Sequence, residues 1–283
     1  MDPRGGKVKA EYAAAVLLLL LGALWAIPLY ALVAGSLKNL ADAMGTPVLQ
    51  PPSQPDFGNV VAALEKFSST IALTGLIVLP AAFAATLLGS LSAFAIRLYG
   101  GKVADWLPVV IALTTYIPYQ AIIVPLVSVI RQVEVATGIP LYDTSQGLFL
   151  VLLVYYTPMA TLLMFIFSNA MPREPIEASL VDGAGLPTIY WRVALPLLGP
   201  GFVSTLIFLL INMWNNLFIP LSMTRGYEKF VTLKIFSYVG QAGTIYNEMF
   251  AAALIGSLPP LVVFLFMSKY FIRGMLTLTG RSA

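Results

Sequence analysis

Neither cysteine nor histidine occurs in the 283 residues. The first absence excludes disulfides, thiolate catalysis and cysteine metal sites, and leaves the redox compartment unreadable. The second removes the commonest general base and the commonest transition-metal ligand. Charge is scarce as well: Asp, Glu, Lys and Arg supply 10% of the chain, against roughly 25% in a soluble domain. Intramembrane proteolysis by paired aspartates inside the apolar runs, or by serine with histidine, lacks its residues. Gly101-Lys102 and Gly6-Lys7 have neither the leading glycine nor the following Ser/Thr of a phosphate loop, so no Walker nucleotide site is present. No catalytic residue, no cofactor-binding residue, no metal ligand and no nucleic-acid partner is therefore expected.

What is abundant is apolar sequence, at 59% of residues and a mean hydropathy of +0.86. Apolar runs of roughly 18 residues or more recur, the pattern of an all-α polytopic membrane protein set in a lipid bilayer. Six spans are expected, at about Ala13–Ser36, Thr70–Ile96, Trp106–Ile130, Gln146–Asn169, Gly201–Ser222 and Met249–Lys269. The first is about 36 Å long at about 1.5 Å per residue, enough for a hydrocarbon core of roughly 30 Å. Its apolar run exceeds the roughly 7–15 residues of a signal-peptide core, so a retained anchor is expected. Residues 1–283 read as a single transmembrane domain, without a separate soluble domain or a strong repeat. The connection 37–69 contains "GTPVLQPPSQPDFGN", whose prolines and glycines predict an irregular segment.

Lysine and arginine in the connections set the direction of crossing. With the N-terminus inside, the inner segments hold Arg4, Lys7, Lys9, Arg97, Lys102, Arg173, Arg192, Lys269, Arg273 and Arg281. The outer segments hold only Lys38, Lys66, Arg131, Arg225, Lys229 and Lys234. Both termini, and the connection between the fourth and fifth spans, are expected to be cytoplasmic. No aspartate or glutamate falls inside an expected span, with Asp105 at an edge. Ion-coupled carriers place ionisable groups at that depth, so a self-powered carrier is disfavoured, although backbone carbonyls can still hold sodium. The energy for any transport must come from outside this chain.

The cytoplasmic connection, residues 171–200, is densely punctuated: "MPREPIEASLVDGAGLPTIYWRVALP". Pro172 and Pro175 suit a helix start, and Glu174 and Glu177 complement the positive end of its dipole. Gly183 and Gly185 break that helix, glycine being free to take the left-handed conformation. Pro187 permits a second start, and Pro196 is expected to end the second helix where the chain enters the fifth span. The expected product is a short, stiff helix–turn–helix knuckle with small residues, Ala178, Ser179 and Ala184, on its surface.

This segment resembles the "EAA loop" of ABC importer permeases: Glu-Ala-Ala, three residues, Gly, nine residues, Ile, one residue, Leu-Pro. Here Glu177-Ala178-Ser179 is followed by Gly183 and then by Val193, Ala194 and Leu195-Pro196 at the same spacing, with Ser179 for Ala and Val193 for Ile. The resemblance implies a coupling helix that docks in a groove of a separate ATPase subunit. It places Glu177, Ala178, Ser179, Asp182, Gly183, Leu195 and Pro196 at or near that contact.

Further stretches are similar to the carbohydrate-uptake, maltose-type branch of that family. "FLLINMWNNLFIPLSM" (Phe208–Met223) resembles its Trp-Asn-acidic-aromatic-Leu stretch, with Asn216 where an acid is common. "YIPYQAIIVPL" (Tyr116–Leu126) matches its Ile-Pro-x-Gln-x-x-x-x-Pro-Leu pattern, and "FIRGMLTLTGRSA" its Arg-Gly-x-x-x-Gly terminus with glycine two positions late. The resemblance implies the smaller permease of a heterodimer in a prokaryotic plasma (inner) membrane. Its partners would be a second transmembrane permease, two ABC ATPase subunits or domains, and an extracellular or periplasmic substrate-binding protein that delivers a sugar. Asn212, Trp214, Asn215 and Asn216 offer amides and an indole face suited to sugar hydroxyls and the apolar side of a pyranose. The same residues equally suit helix packing or contact with the partner permease. Thr114, Thr115, Tyr116, Tyr119 and Gln120 form a second polar cluster in the third span. Against this stand an ATPase-independent channel or carrier, and a non-transporting membrane scaffold that uses the same knuckle.

Overall fold

The structure, a computed structural model, describes residues 3–99, 101–115, 117–238 and 246–278, and those residues are helical with short connections. In chain order the helices are α1 (Pro3–Ser36), α2 (Leu40–Gly45), α3 (Gly58–Tyr99), α4 (Val103–Thr115), α5 (Tyr119–Thr137), α6 (Ser145–Ala170) and α7 (Glu174–Val181). There follow α8 (Leu186–Ile189), a π-helical turn (Tyr190–Ala194), α9 (Leu195–Leu197), α10 (Gly199–Trp214), α11 (Phe218–Met223), α12 (Val231–Phe236) and α13 (Tyr246–Leu278). Among the described residues four helices are long and apolar enough to cross a membrane: Glu11–Ser36, Gly58–Tyr99, Ser145–Ala170 and Tyr246–Lys269. The pair Leu186–Leu197 and Gly199–Trp214, bent by 76°, makes a fifth if counted as one broken span.

Two compact units divide the chain, one of residues 1–68 with 237–257, the other of residues 69–236 with 258–283. In the first, α1 is exposed from Glu11 to Tyr30, as a helix with leucine on every face would be when its neighbour is lipid or another chain. Its end is fixed: Gly35 lies so close to the Phe250 ring that a Cβ would sit 2.6 Å from it. Lys38 is buried, but its ammonium donates to Thr46 Oγ1 at 2.9 Å and to the Pro47 carbonyl at 2.7 Å.

In the second unit, Ala81, Ala85, Gly89 and Ala93 recur every fourth residue and form a buried small-residue stripe on α3. Small residues let helix backbones approach closely in membranes. A Cβ at Gly89 would lie 2.6 Å from the Ala160 backbone of α6. Around that crossing the core has two parts. One joins Ile77, Leu148, Leu152, Leu209, Met213, Ile219 and Phe230; the other joins Ala93, Phe94, Met164, Ile176, Ile189 and Tyr190.

Four expectations are corrected. The third span, 106–130, is not one helix: it divides into α4 and α5, because Pro118 has extended backbone (φ −63°, ψ 125°) and no N–H for the ladder. The fifth span, 201–222, divides between α10 and α11 at Asn215–Leu217. The segment 37–69 is not wholly irregular, since α2 forms within it and α3 already starts at Gly58. Pro196 does not end its helix. The turn before it widens to a π-turn, with the Leu195 N–H on the Tyr190 carbonyl, and the helix runs to Leu197 before the bend.

Candidate functional site

The coupling segment folds as its punctuation dictates. α7 opens with Pro175 in its first turn and with Glu174 and Glu177 beside the positive end of its dipole. It closes in a Schellman motif: Gly183 N–H donates to the Leu180 carbonyl at 3.1 Å and Ala184 N–H to the Ser179 carbonyl at 3.0 Å. That closure needs a left-handed residue, and Gly183 has φ +74°. Ser179 Oγ donates back to the Pro175 carbonyl at 2.7 Å. One face of α7 is pinned through Ile176, only 5% exposed, in the second core cluster. The other face presents Glu177, Ala178, Val181 and Asp182, with Gly183 at its end, all exposed. Ser179 is half-buried. Leu195 and Pro196 are not part of that face: Leu195 packs against the second cluster and Pro196 is exposed on the stem that follows the π-turn.

Three residues that sequence reasoning did not single out hold this segment to α3. Tyr190 Oη lies 2.5 Å from Ser90 Oγ, and the Tyr190 ring meets that of Phe94 at 5.5 Å. Ser90 Oγ also donates to the Leu87 carbonyl at 2.8 Å. Arg97 Nη2 donates to the Met171 carbonyl, the C-cap of α6, at 2.5 Å, while Nη1 is buried with no partner among the described residues. Nothing in a single sequence pairs residues 100 and 74 positions apart.

The membrane-depth polar cluster is taken apart by the structure. Asn212 lines a cavity of about 600 Å³ with Thr114, Thr115, Tyr155, Tyr156 and Phe208. Trp214 instead lines a separate apolar pocket of about 210 Å³ beside Gly75, Pro259 and Pro260. The two residues lie about 200° apart at about 100° per residue, so one wall cannot hold both. Asn215 is exposed at the end of α10. Asn216 is buried and shapes the chain: its Oδ1 accepts from Ile219 N–H at 3.0 Å and its Nδ2 donates to Tyr156 Oη at 3.1 Å. Tyr156 in turn donates to the Asn212 carbonyl at 3.1 Å, so one side chain of α6 spans the break in the fifth span. The hydroxyls of Thr114 and Thr115 donate to the Ile111 and Ala112 carbonyls, and Asn212 Nδ2 to the Phe208 carbonyl. Tyr116 and the side chains of Tyr119 and Gln120 lie outside the described residues.

An exposed, glycine-capped knuckle thus lies between α6 and α10, in a chain that carries membrane-length apolar helices. Residues 85–277 match the family described as "Binding-protein-dependent transport system inner membrane component". The glucose import system permease protein GlcU of Saccharolobus solfataricus is 36% identical over 271 residues, covering 93% of this chain and 92% of that protein. The xylose/arabinose import permease protein XacI of Haloferax volcanii is 23% identical over 287 residues, covering 95% and 92%. A crystal structure of a bacterial ABC transporter involved in the import of the acidic polysaccharide alginate is similar at a TM-score of 0.74. That match has 19% identity and covers 96% of this chain and 99% of the other, which establishes a shared all-helical membrane permease fold. The chain belongs to the binding-protein-dependent transport family: it is a multi-pass inner-membrane permease component of an ABC transporter, and ATP is hydrolysed by separate subunits.

Proposed function

We propose that this chain is one transmembrane half of an ATP-driven sugar importer, the smaller permease of a maltose-type heterodimer. The observation that carries the reading is α7. Its Glu177–Asp182 face is exposed, its end is locked by Gly183, and its back is anchored by Ile176, as a docking helix that transmits force requires. The similarity to GlcU, a glucose import permease, and to XacI, a xylose/arabinose import permease, supports a sugar as cargo. A second permease, two ABC ATPase subunits and an external binding protein complete the machine; the alginate transporter structure with a saccharide-bound periplasmic protein supports the last of these.

Six crossings follow if α4 with α5, and α10 with α11, each make one broken span beside α1, α3, α6 and α13. Together they form one permease domain over residues 1–283, with both termini and residues 171–200 cytoplasmic. Glu177, Ala178, Ser179, Asp182 and Gly183 make the ATPase contact, while Leu195 and Pro196 shape the stem. Asn212 and Asn215 serve the pathway or the contact with the partner permease, whereas Trp214 and Asn216 pack and position the fifth span; Tyr119 and Gln120 stay candidates for the pathway by sequence alone. Closure of the ATPases biases the spans between inward and outward openings. Reconstitution in sealed vesicles tests the whole reading. Sugar uptake should require ATP, the ATPase subunits and the binding protein together. Uptake by this chain without ATPases would instead reveal a channel or carrier, and no uptake in the complete system would leave a scaffold.

A further inference from the structure

We propose that Ser90, Arg97 and Tyr190 are positioning residues that fasten the coupling segment to α3, so that displacement of α7 moves the second span directly. The inference rests on the reading of residues 171–200 as the ATPase-driven element. By chain connection alone, α7 would pull only on α6, through Met171–Arg173, and on α10, through the turns that follow Gly183. The structure adds a third attachment at two levels of α3.

Deeper along α3, the Tyr190 and Ser90 hydroxyls share a hydrogen bond with both residues buried, at 2% and 0% exposure. Seven positions on, Arg97 reaches across to the carbonyl that caps α6 just before α7 begins. Between these links, Ala93 and Phe94 share a core cluster with Ile176, Ile189, Tyr190, Ala194 and Leu198. Close-packed interiors shift as rigid bodies and deform little, so a segment clamped in this way carries its clamp with it.

Two features go beyond what packing alone requires. The π-turn starts at Tyr190 and leaves both Tyr190 and Ala194 buried, so the local backbone departs from α-helix where the tyrosine must enter. Arg97 leaves Nη1 buried with no partner among the described residues, a penalty that an apolar side chain of similar length would avoid. A guanidinium that only filled space would be a poor choice here. One that holds the C-cap carbonyl of α6 at a fixed distance from α3 has a use.

The test uses the complete complex in vesicles, with sugar molecules imported per ATP hydrolysed as its readout. Ser90→Ala removes one hydroxyl of the bond, Tyr190→Phe removes the other while keeping the ring, and the pair completes a double-mutant cycle. Import per ATP should fall on the order of five-fold in each single variant, the factor that corresponds to one buried hydrogen bond. The double variant should fall no further, and copurified ATPase should stay at the wild-type level. A purely structural role predicts reduced yield with an unchanged ratio, and that result would overturn the proposal. Losses that multiply in the double variant would overturn it too. Ser90→Ala, a small and helix-compatible change, decides the matter alone if Tyr190→Phe does not accumulate. Failure of the coupling reading itself shows elsewhere, as normal ATPase association when Gly183 is replaced by valine.

Discussion

Replacing Gly183 with valine isolates backbone conformation from packing. A Cβ built at this position meets nothing within 4 Å, so no clash accompanies the substitution. What remains is φ +74°. An L-residue held in the left-handed region loses about 1–2 kcal/mol, and a β-branched one loses more. Two hydrogen bonds depend on that angle, Gly183 to Leu180 and Ala184 to Ser179, and both close the last turn of an eight-residue helix. A helix so short has little stability of its own, so a loss of about 1–2 kcal/mol shifts its cap roughly 5- to 30-fold toward the open form. Gly183→Asn supplies the control, because asparagine visits the left-handed region at lower cost. The assay is copurification of ATPase subunits together with ATP-driven uptake, normalised to membrane-inserted permease. The expected order is Gly, then Asn, then Ala, then Val. Wild-type coupling in Gly183→Val, or an Asn variant as poor as the Val variant, would refute the argument from conformation.

Three other perturbations probe different parts of the account. Ile176→Ala removes the buried anchor of α7 and should cost about 2–4 kcal/mol locally; hydrogen exchange over residues 171–185 should rise, and unchanged protection would contradict the packing seen here. Asn215→Leu, at an exposed position, should leave this chain inserted but lower the yield of complex with the second permease; intact yield with weaker apparent sugar affinity would assign a sugar contact instead. The Lys229 ammonium and the Arg225 N–H hold the Asp143 carboxyl below its usual range, despite a small opposing effect of burial. A depressed value means the stabilisation is complete above the unfolded pKa of about 4 and is lost as pH falls through the folded one. Asp143→Asn, tolerated at φ 62°, should therefore lower the melting temperature at neutral pH, with the gap to wild type closing in acid; a gap independent of pH would exclude the ion pair as its cause.

The elements legible in the sequence are those whose signal sums over many residues. Hydropathy over about 20 positions finds membrane-length helices whatever their neighbours do. The turn at Gly183 is legible for another reason, since glycine, proline and acidic residues act there through local backbone and dipole effects. The breaks at Pro118 and Asn215–Leu217 escape because hydropathy does not register a missing rung in a hydrogen-bond ladder: apolar residues flank both breaks and the windows stay oily. Nearness in sequence groups Asn212 with Trp214, although helical periodicity alone separates their faces. Tyr156, Ser90, Tyr190 and Arg97 act through partners more than 50 residues away, and only a fold brings those partners into view.

The central claim is that α7 faces the cytoplasm and is gripped there by an ATPase. Because the chain has no cysteine, one introduced thiol reports without background. Val181, 88% exposed on the free face of α7, is the position to change. In sealed vesicles, Val181→Cys should react with a membrane-impermeant reagent only from the cytoplasmic side, and the bound ATPase subunits should protect it. Reaction from the outer side, or equal reaction with and without the ATPase, would contradict the account.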